Sequence, residues 1–138
     1  MTQEDKELLL KDLSARLLNG VFCKLEGVER SQKLTKIDID DFGETSFSFS
    51  WKNNKGSHKN EYVCSLGQIK PYLRSMDDMT EEEYKIYHEL VGGMFGTGIL
   101  INLPILEDFL NKNHFDYRGL IEKGLAIKVT EENNPYKE

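Results

Sequence analysis

The segment TSFSFSW, residues 45–51, constrains the fold more than any other feature of the sequence. Phe47, Phe49 and Trp51 alternate with serines, and this period of two is typical of a β-strand with one buried and one wet face. A helix would scatter the same rings around its surface. We therefore expect a sheet covered on one side only, whose serine face looks to solvent or to a partner.

Three other segments have the composition and length of strands. They are VFCKLEGV (21–28), LTKIDID (34–40) and EYVCSLG (61–67). The first should bury Val21, Cys23 and Leu25, and the third should point Tyr62, Cys64 and Leu66 to one side. Because the connections are short and rich in turn residues, the simplest topology is an antiparallel meander.

Residues 3–18 are predicted to form an amphipathic helix. Its leucines recur at three- and four-residue spacing, whereas Asp12 and Arg16 should lie away from that stripe. Thr2 suits the N-cap, and Gly20 suits a left-handed residue that ends the helix.

The second half is predicted to be mostly helical. Thr80 and Glu83 have capping-box spacing and should open a helix over 81–91. A glycine-rich break at 92–98 should separate it from a helix that Asn102 caps, with Pro104 near the first turn. The apolar positions of these helices are expected at Tyr84, Tyr87, His88 and Val91, and at Leu106, Phe109 and Leu110. A short helix closed by Gly124 and a last strand at 125–129 should follow.

Together these patterns predict an α+β fold. We expect a four- to five-stranded, mostly antiparallel meander sheet, with an N-terminal helix and a helical C-terminal half packed on one face. Residues 1–130 should form a single globular domain, followed by a polar and frayed tail at 131–138.

Charge and hydropathy exclude several classes of function. The chain of 138 residues has 18 basic and 24 acidic side chains and no long basic stripe, so nucleic-acid binding is disfavoured. The longest nearly apolar run, 93–106, is too short and too interrupted to cross a membrane. The N-terminus does not resemble a secretion signal, and Cys23 and Cys64 have the setting of small buried thiols. We expect a cytoplasmic protein.

The segment NKNHFDYRGL, 111–120, holds the strongest cluster of reactive side chains. We interpret it as a corner, in which Asn113 or His114 ends one helix and Asp116 caps the next. Phe115 and Leu120 should clamp the corner as a hydrophobic staple, and Gly119 should allow another segment to approach closely. The alternative makes His114 a general base and Arg118 an anion clamp.

Four other motifs contain residues that could bind an ion, a nucleotide or a partner. DIDDFGE (38–44) has Asp38, Asp40 and Gly43 at calcium-loop spacing but lacks the later acidic ligands, so a hairpin turn is favoured. GGMFGTG (92–98) lacks the order of a phosphate loop and indicates a hinge or a close backbone contact. DDMTEEE (77–83) is an acidic helix start, with a docking surface for a basic partner or a weak divalent-ion site as the alternatives. KNNKGSHKN (52–60) is an exposed loop that could also contact phosphate.

Two longer segments resemble a known group of proteins. IKPYLRSMDDMTEEE (69–83) and FLNKNHFDYRGLIEKGLAI (109–127), with the opening LLLKDLSARL, resemble a family of small uncharacterised proteins from gut Bacteroidetes bacteria and their phages or other mobile elements. The resemblance covers about a third of the chain and does not extend to 92–98 or to the ILINL run. It implies a bacterial setting but no activity, cofactor or catalytic residue.

We therefore expect a small accessory protein of bacterial or phage origin that binds another protein and is not an enzyme. No metal or cofactor is predicted, and self-association is left open. One alternative is a metal-independent hydrolase that uses His114 or His88 with nearby carboxylates, and Arg118 is a further candidate residue for it. Another is weak binding of nucleic acid through the 52–60 loop. The candidate partner surface comprises Asp77, Asp78, Glu81, Glu82, Glu83, Lys52, Lys55, His58 and Lys59.

Overall fold

The computed structural model describes residues 1–53, 55–62, 66–94 and 99–137. Its α-helices are α1 (Gln3–Arg16), α2 (Glu81–Met94) and α3 (Ile99–Lys112). Its strands are β1 (Phe22–Leu25), β2 (Gln32–Ile39), β3 (Thr45–Asn53), β4 (Gly56–Tyr62), β5 (Ile69–Leu73) and β6 (Ile127–Lys128). Short 3-10 turns lie at Leu17–Asn19, Leu66–Gln68 and Met76–Asp78.

The strands form one sheet in the order β4-β3-β2-β1-β5-β6. The first five pair antiparallel, and the two-residue β6 pairs parallel with β5. The predicted α+β class and mostly antiparallel sheet are confirmed. The meander holds for β1 to β4, whereas β5 was missed and lies on the other side of β1. Proline is disfavoured within a sheet, but β6 pairs only with Tyr72 and Leu73, so Pro71 needs a ladder partner on one side only.

One face of the sheet is buried by α1. Leu9 and Leu13 of α1 are fully buried against the inward residues of the sheet, and Phe47 and Phe49 are fully buried with them. The predicted alternation of β3 is confirmed at Phe47 and Phe49, and Ser46, Ser48 and Ser50 are half-exposed on the opposite face. Trp51, predicted to be buried with the two phenylalanines, is only partly buried. The other inward residues are Val21, Cys23, Leu25, Leu34, Ile69 and Leu73, joined by Leu120, Leu125 and Ala126.

The residues predicted to begin and end α1, Thr2 and Gly20, have the expected conformations and contacts. Asp5 N–H donates to Thr2 Oγ1 at 3.1 Å, and Thr2 N–H donates to the Asp5 carboxylate at 3.3 Å. Gly20 is left-handed at φ 74° and ends the following 3-10 turn. The prediction for the charged residues is wrong, because Asp12 and Arg16 are both fully buried.

The hairpin of β3 and β4 is longer than the sequence indicated. The register pairs Lys52 with Ser57 and Asn53 with Gly56, so the predicted 52–60 loop is wrong and most of it is strand. The Gly56 backbone has φ 127°, which glycine adopts without strain. The predicted strand at 61–67 is displaced: β4 ends at Tyr62, Leu66 begins a 3-10 turn, and Cys64 lies outside the described residues.

The helical hairpin forms a second core cluster. Leu106 and Leu110 of α3 pack with Phe115, and Tyr87, Leu90 and Val91 of α2 lie against them. The predicted stripe of α3 is confirmed, but Tyr84 and His88 point outward.

The bounds of these helices differ from the prediction. The capping box of α2 forms, because Thr80 N–H donates to Glu83 Oε1 at 3.0 Å and Glu83 N–H donates to Thr80 Oγ1 at 3.1 Å. The break does not begin at Gly92, since α2 continues to Met94, and 95–98 lie outside the described residues. α3 begins at Ile99 rather than at an Asn102 cap, so Pro104 is inside the helix.

Among the described residues, none of the helices is both long and apolar enough to cross a membrane.

Candidate functional site

The corner at 111–120 closes α3 with two backbone hydrogen bonds. Phe115 N–H donates to Leu110 O at 2.9 Å, and His114 N–H donates to Asn111 O at 3.2 Å. This pattern is the Schellman motif, with His114 in the left-handed position that glycine usually occupies. Its φ of 63° is the only positive value of a non-glycine among the described residues. The prediction that the helix ends at Asn113 or His114 is confirmed.

The imidazole of His114 is locked by its neighbours. It stacks on the ring of Tyr136 with centroids 3.6 Å apart and planes 13° from parallel. Burial, reinforced by the charges of Arg16 and Arg74, lowers the pKa of His114 to about 4. At neutral pH the ring is uncharged, and its buried Nδ1 has no hydrogen-bond partner among the described residues.

Arg118 also has a structural partner. It donates from Nη1 to Asp12 Oδ1 at 2.8 Å, while Arg16 Nε donates to the other oxygen of the same carboxylate at 2.9 Å. Arg16 Nη2 reaches the carbonyl of Phe115 at 2.5 Å. α1 is thus pinned to the corner through a buried cluster that we call the Asp12 cluster (Asp12, Arg16, Arg118). Removing one member of such a cluster leaves an unpaired charge inside the protein.

Tyr136 brings the C-terminal tail into the same region. Its hydroxyl accepts from Phe22 N–H at 3.1 Å and donates to Tyr72 O at 2.7 Å, so it bridges β1 and β5. Burial raises the pKa of Tyr136 and keeps the phenol protonated. The expectation of a frayed tail is therefore wrong, because an aromatic side chain in a polar segment anchors it.

Asp116 caps the turn that follows the corner. Its two oxygens accept from Leu120 N–H and Ile121 N–H, each at 2.9 Å. The predicted capping role is confirmed, although the segment that follows is a hydrogen-bonded turn rather than a helix. Gly119 has φ 76° and no neighbour close to the position of a Cβ, so backbone conformation rather than close approach requires it.

The predicted staple does not form in the way expected. Phe115 and Leu120 are both fully buried, but Phe115 belongs to the α2–α3 cluster and Leu120 to the sheet core. The corner therefore separates two cores instead of clamping one.

The other histidine of the hydrolase hypothesis lies elsewhere. His88 is exposed on α2, with its ring 5.9 Å from that of Tyr84. His114 stacks on Tyr136 and has no carboxylate among its described hydrogen-bond or ion-pair partners. In the described part of the chain, His114 packs on Tyr136, Arg118 binds Asp12 and His88 lies exposed on α2, so the geometry favours the structural interpretation of the corner.

The acidic run 77–83 divides into two kinds of residue. Glu83 forms a two-point ion pair with Arg74, with both N–O distances at 2.7 Å, and these bonds lower the pKa of Glu83. Asp78 Oδ2 lies 3.8 Å from Lys128 Nζ, at the long end of an ion pair. Asp77, Glu81 and Glu82 are exposed and form no ion pair within the described residues.

Two contiguous recesses open beside these exposed acids. The first, of about 470 Å³, is lined by Met76, Asp77, Met79, Thr80, Glu81, Tyr84 and Lys85. The second, of about 500 Å³, continues past Met76 and Asp77 to the 117–122 turn and includes Tyr87, Tyr117, Ile121 and Glu122. We call the pair the acidic groove. Two lysines, Lys85 and Lys128, also line the groove. Lys128 lies near Asp78, which is outside the groove lining.

The remaining candidate residues lie in the β3–β4 hairpin and in the turn between β2 and β3. Lys55 is exposed, and His58 stacks on Trp51 with ring centroids 4.2 Å apart. The side chains of Lys52 and Lys59 lie outside the described residues. DIDDFGE forms the predicted hairpin turn, in which Asp40 Oδ1 accepts from Phe42 N–H and Glu44 N–H.

Sequence reasoning missed Asp12, Arg16 and Tyr136. The first two have i,i+4 spacing, which favours an ion pair on a helix, but nothing local indicates that the pair is buried. Only contacts across about 100 residues reveal it, as between Arg16 and Phe115.

Comparison of the chain with models of protein families, with curated proteins and with solved structures gave no match. The resemblance to small proteins of gut Bacteroidetes and their mobile elements therefore stays a prediction.

Proposed function

We propose that the protein is a non-enzymatic binding protein whose acidic groove takes a basic, partly apolar segment of another protein. The observation on which this rests is the groove itself. Exposed carboxylates of Asp77 and Glu81 flank apolar side chains, and no ion pair within the described residues neutralises them.

The apolar wall supplies the surface for affinity. Met76 and Met79 are half-buried in the α2–α3 cluster, and Tyr84 is 57% exposed beside them. Methionine adapts to irregular partners, and tyrosine is enriched at protein interfaces. An apolar floor with a charged rim is the arrangement of many interfaces, in which the floor contributes affinity and the rim selects the partner.

The shape of the groove favours an extended segment over a compact small molecule. Its two recesses share Met76 and Asp77, and they run from the start of α2 to the 117–122 turn. Ligand pockets normally enclose a small molecule within one cavity. A partner segment with alternating basic and apolar side chains would match both recesses.

The proposal is tested with two labelled synthetic peptides of about 12 residues, one built of Lys and Leu and one with Glu in place of each Lys. We expect the protein to bind the basic peptide and not the acidic one. The double variant D77K/E81K should weaken binding by about tenfold or more.

The matched control is E107K/D108K, which makes the same charge change at exposed positions of α3 outside the groove. It should weaken binding by less than about threefold. Equal weakening by the two variants would mean that net charge, and not the groove, attracts the peptide. Equal binding of both peptides would refute the proposal outright.

We also propose a bacterial cytoplasmic setting, which the resemblance of 69–83 and 109–127 implies. Fractionation of cells that express the native gene tests the location.

A further inference from the structure

The outer face of the sheet collects cations that are separated in the sequence. The alternation of buried and exposed residues in β1, β2 and β5 leaves Lys24, Lys33 and Lys70 on the side opposite the core. Buried core residues separate these lysines along the chain, so the sequence contains no continuous basic run there. Strand pairing then places Phe22 beside Lys33, and Lys33 beside Ser50.

Phe22, Lys33 and Ser50 border a recess of about 290 Å³. Its lining consists of Phe22, Arg30, Ser31, Lys33, Ser50 and Trp51, and we call it the basic recess. It contains two cations and two aromatic rings, and no carboxylate is among the described residues that line it. It shares no residue with the acidic groove.

Arg30 is held in a defined position. Its guanidinium lies over the ring of Trp51, 4.4 Å from the centroid. A flat guanidinium on an indole keeps its N–H edge for an acceptor and its other face for stacking. Neither Arg30 nor Lys33 forms an ion pair with any carboxylate of the described residues.

Phe22 and Lys33 are likewise positioned by their surroundings. The Phe22 ring meets the Tyr136 ring edge to face, with centroids 5.5 Å apart. Lys33 runs across Gly20 so closely that a Cβ there would lie 2.7 Å from Lys33 Cε. Gly20 therefore leaves room for the lysine stem as well as supplying a left-handed backbone.

We propose that the basic recess binds a nucleotide, with the phosphate on Arg30 and Lys33 and the base against Phe22 and the guanidinium face. Arg and Lys are the usual phosphate ligands, and bases stack on aromatic rings and on guanidinium planes. The volume suits one nucleotide unit, which is either a free nucleotide or one residue of a single strand.

Trp51 provides the reporter, because it is the only tryptophan of the chain. Its fluorescence is titrated with AMP, with single-stranded oligothymidylate of about ten nucleotides, with adenosine and with inorganic phosphate. We expect AMP or the oligonucleotide to give a saturable change, with adenosine and phosphate weaker by about tenfold or more.

The two sources of the ligand are separated by the same titration. Tighter binding of the oligonucleotide than of AMP, falling steeply with salt, identifies a single strand. Equal or tighter binding of AMP identifies a free nucleotide. No saturable change with either would overturn the proposal.

Variants assign the binding to the recess. R30Q/K33Q should weaken binding by about tenfold or more, whereas K24Q/K70Q, on the same face but outside the recess, should weaken it by less than about threefold. F22L should reduce the preference for AMP over phosphate, because it removes the ring and keeps an apolar side chain. Wild-type binding by R30Q/K33Q, or equal loss in both double variants, would contradict the assignment.

Discussion

Asp12 and Asp77 have the same side chain and opposite surroundings. Asp12 is fully buried and accepts from two arginines, whereas Asp77 is exposed at the junction of two recesses and forms no ion pair within the described residues. The first joins α1 to the corner after α3, and the second borders an open apolar surface. Substitution at Asp12 should change stability, and substitution at Asp77 should change binding.

The largest expected effect is that of Asp12→Ala. It leaves the buried guanidinium of Arg16 without its carboxylate, so we expect a loss of about 3–5 kcal/mol of unfolding free energy. Urea unfolding followed by circular dichroism measures it. Asp41→Ala, at an exposed position of the β2–β3 turn, is the matched control and should change stability by less than about 0.5 kcal/mol.

A second variant separates charge from volume in the Asp12 cluster. D12L/R16M removes the two fully buried charges and keeps apolar bulk, and it leaves only the partly exposed Arg118 without its carboxylate. It should therefore be more stable than Asp12→Ala. If the double variant were the less stable of the two, the corner would depend on these particular polar bonds.

Tyr136→Phe is expected to have the next largest effect. It retains the ring against His114 and Phe22 but leaves Phe22 N–H and Tyr72 O without the bridging hydroxyl. We expect a loss of about 1–3 kcal/mol in urea unfolding. The same change at exposed Tyr84 should have almost no effect, and equal effects at the two positions would contradict the anchoring of the tail.

His114 should make stability depend on pH. Its folded pKa of about 4 lies below the ordinary 6.5, so the unfolded chain binds a proton more readily. The contribution of the uncharged His114 ring to the free energy of unfolding is complete above pH 6.5 and is lost as the pH falls toward 4.

Because solvent still screens part of the ring, we expect a loss of about 1 kcal/mol between about pH 7.5 and pH 5. His114→Asn, whose side chain tolerates the left-handed backbone, should lack this loss, whereas His88→Asn should keep it. Parallel pH profiles of wild type and His114→Asn would contradict the lowered pKa of His114.

Much of the fold follows from local sequence. The alternation of β3, the Thr2 and Thr80 caps and the closure at Gly20 all depend on neighbours within a few residues, and all are confirmed. The strand at 69–73 was missed because Pro71 opposes a strand locally, and only pairing with β1 allows it.

The candidate sites were less predictable. Asp12 and Arg16 look like an ordinary exposed helical pair, and their burial depends on residues about 100 positions away. The basic recess was invisible because β1, the β1–β2 connection, β2 and β3 each supply part of it. The acidic run was visible, but its division into paired Glu83 and open Asp77 depends on Arg74.

The smallest effect on stability is expected for D77K/E81K. Both side chains are exposed, but Glu81 lies in the first turn of α2, where a lysine opposes the helix dipole. The unfolding free energy should therefore fall by no more than about 1 kcal/mol. A larger loss of unfolding free energy, measured with urea, would mean that these acids stabilise the fold as Asp12 does.

The contrast between the two aspartates is tested most directly by titrating the basic Lys/Leu peptide into wild-type protein and D77K/E81K by calorimetry. We predict that the variant, which remains folded, binds the peptide about tenfold or more weakly. Unchanged affinity in a stably folded variant would show that the groove is not a recognition surface.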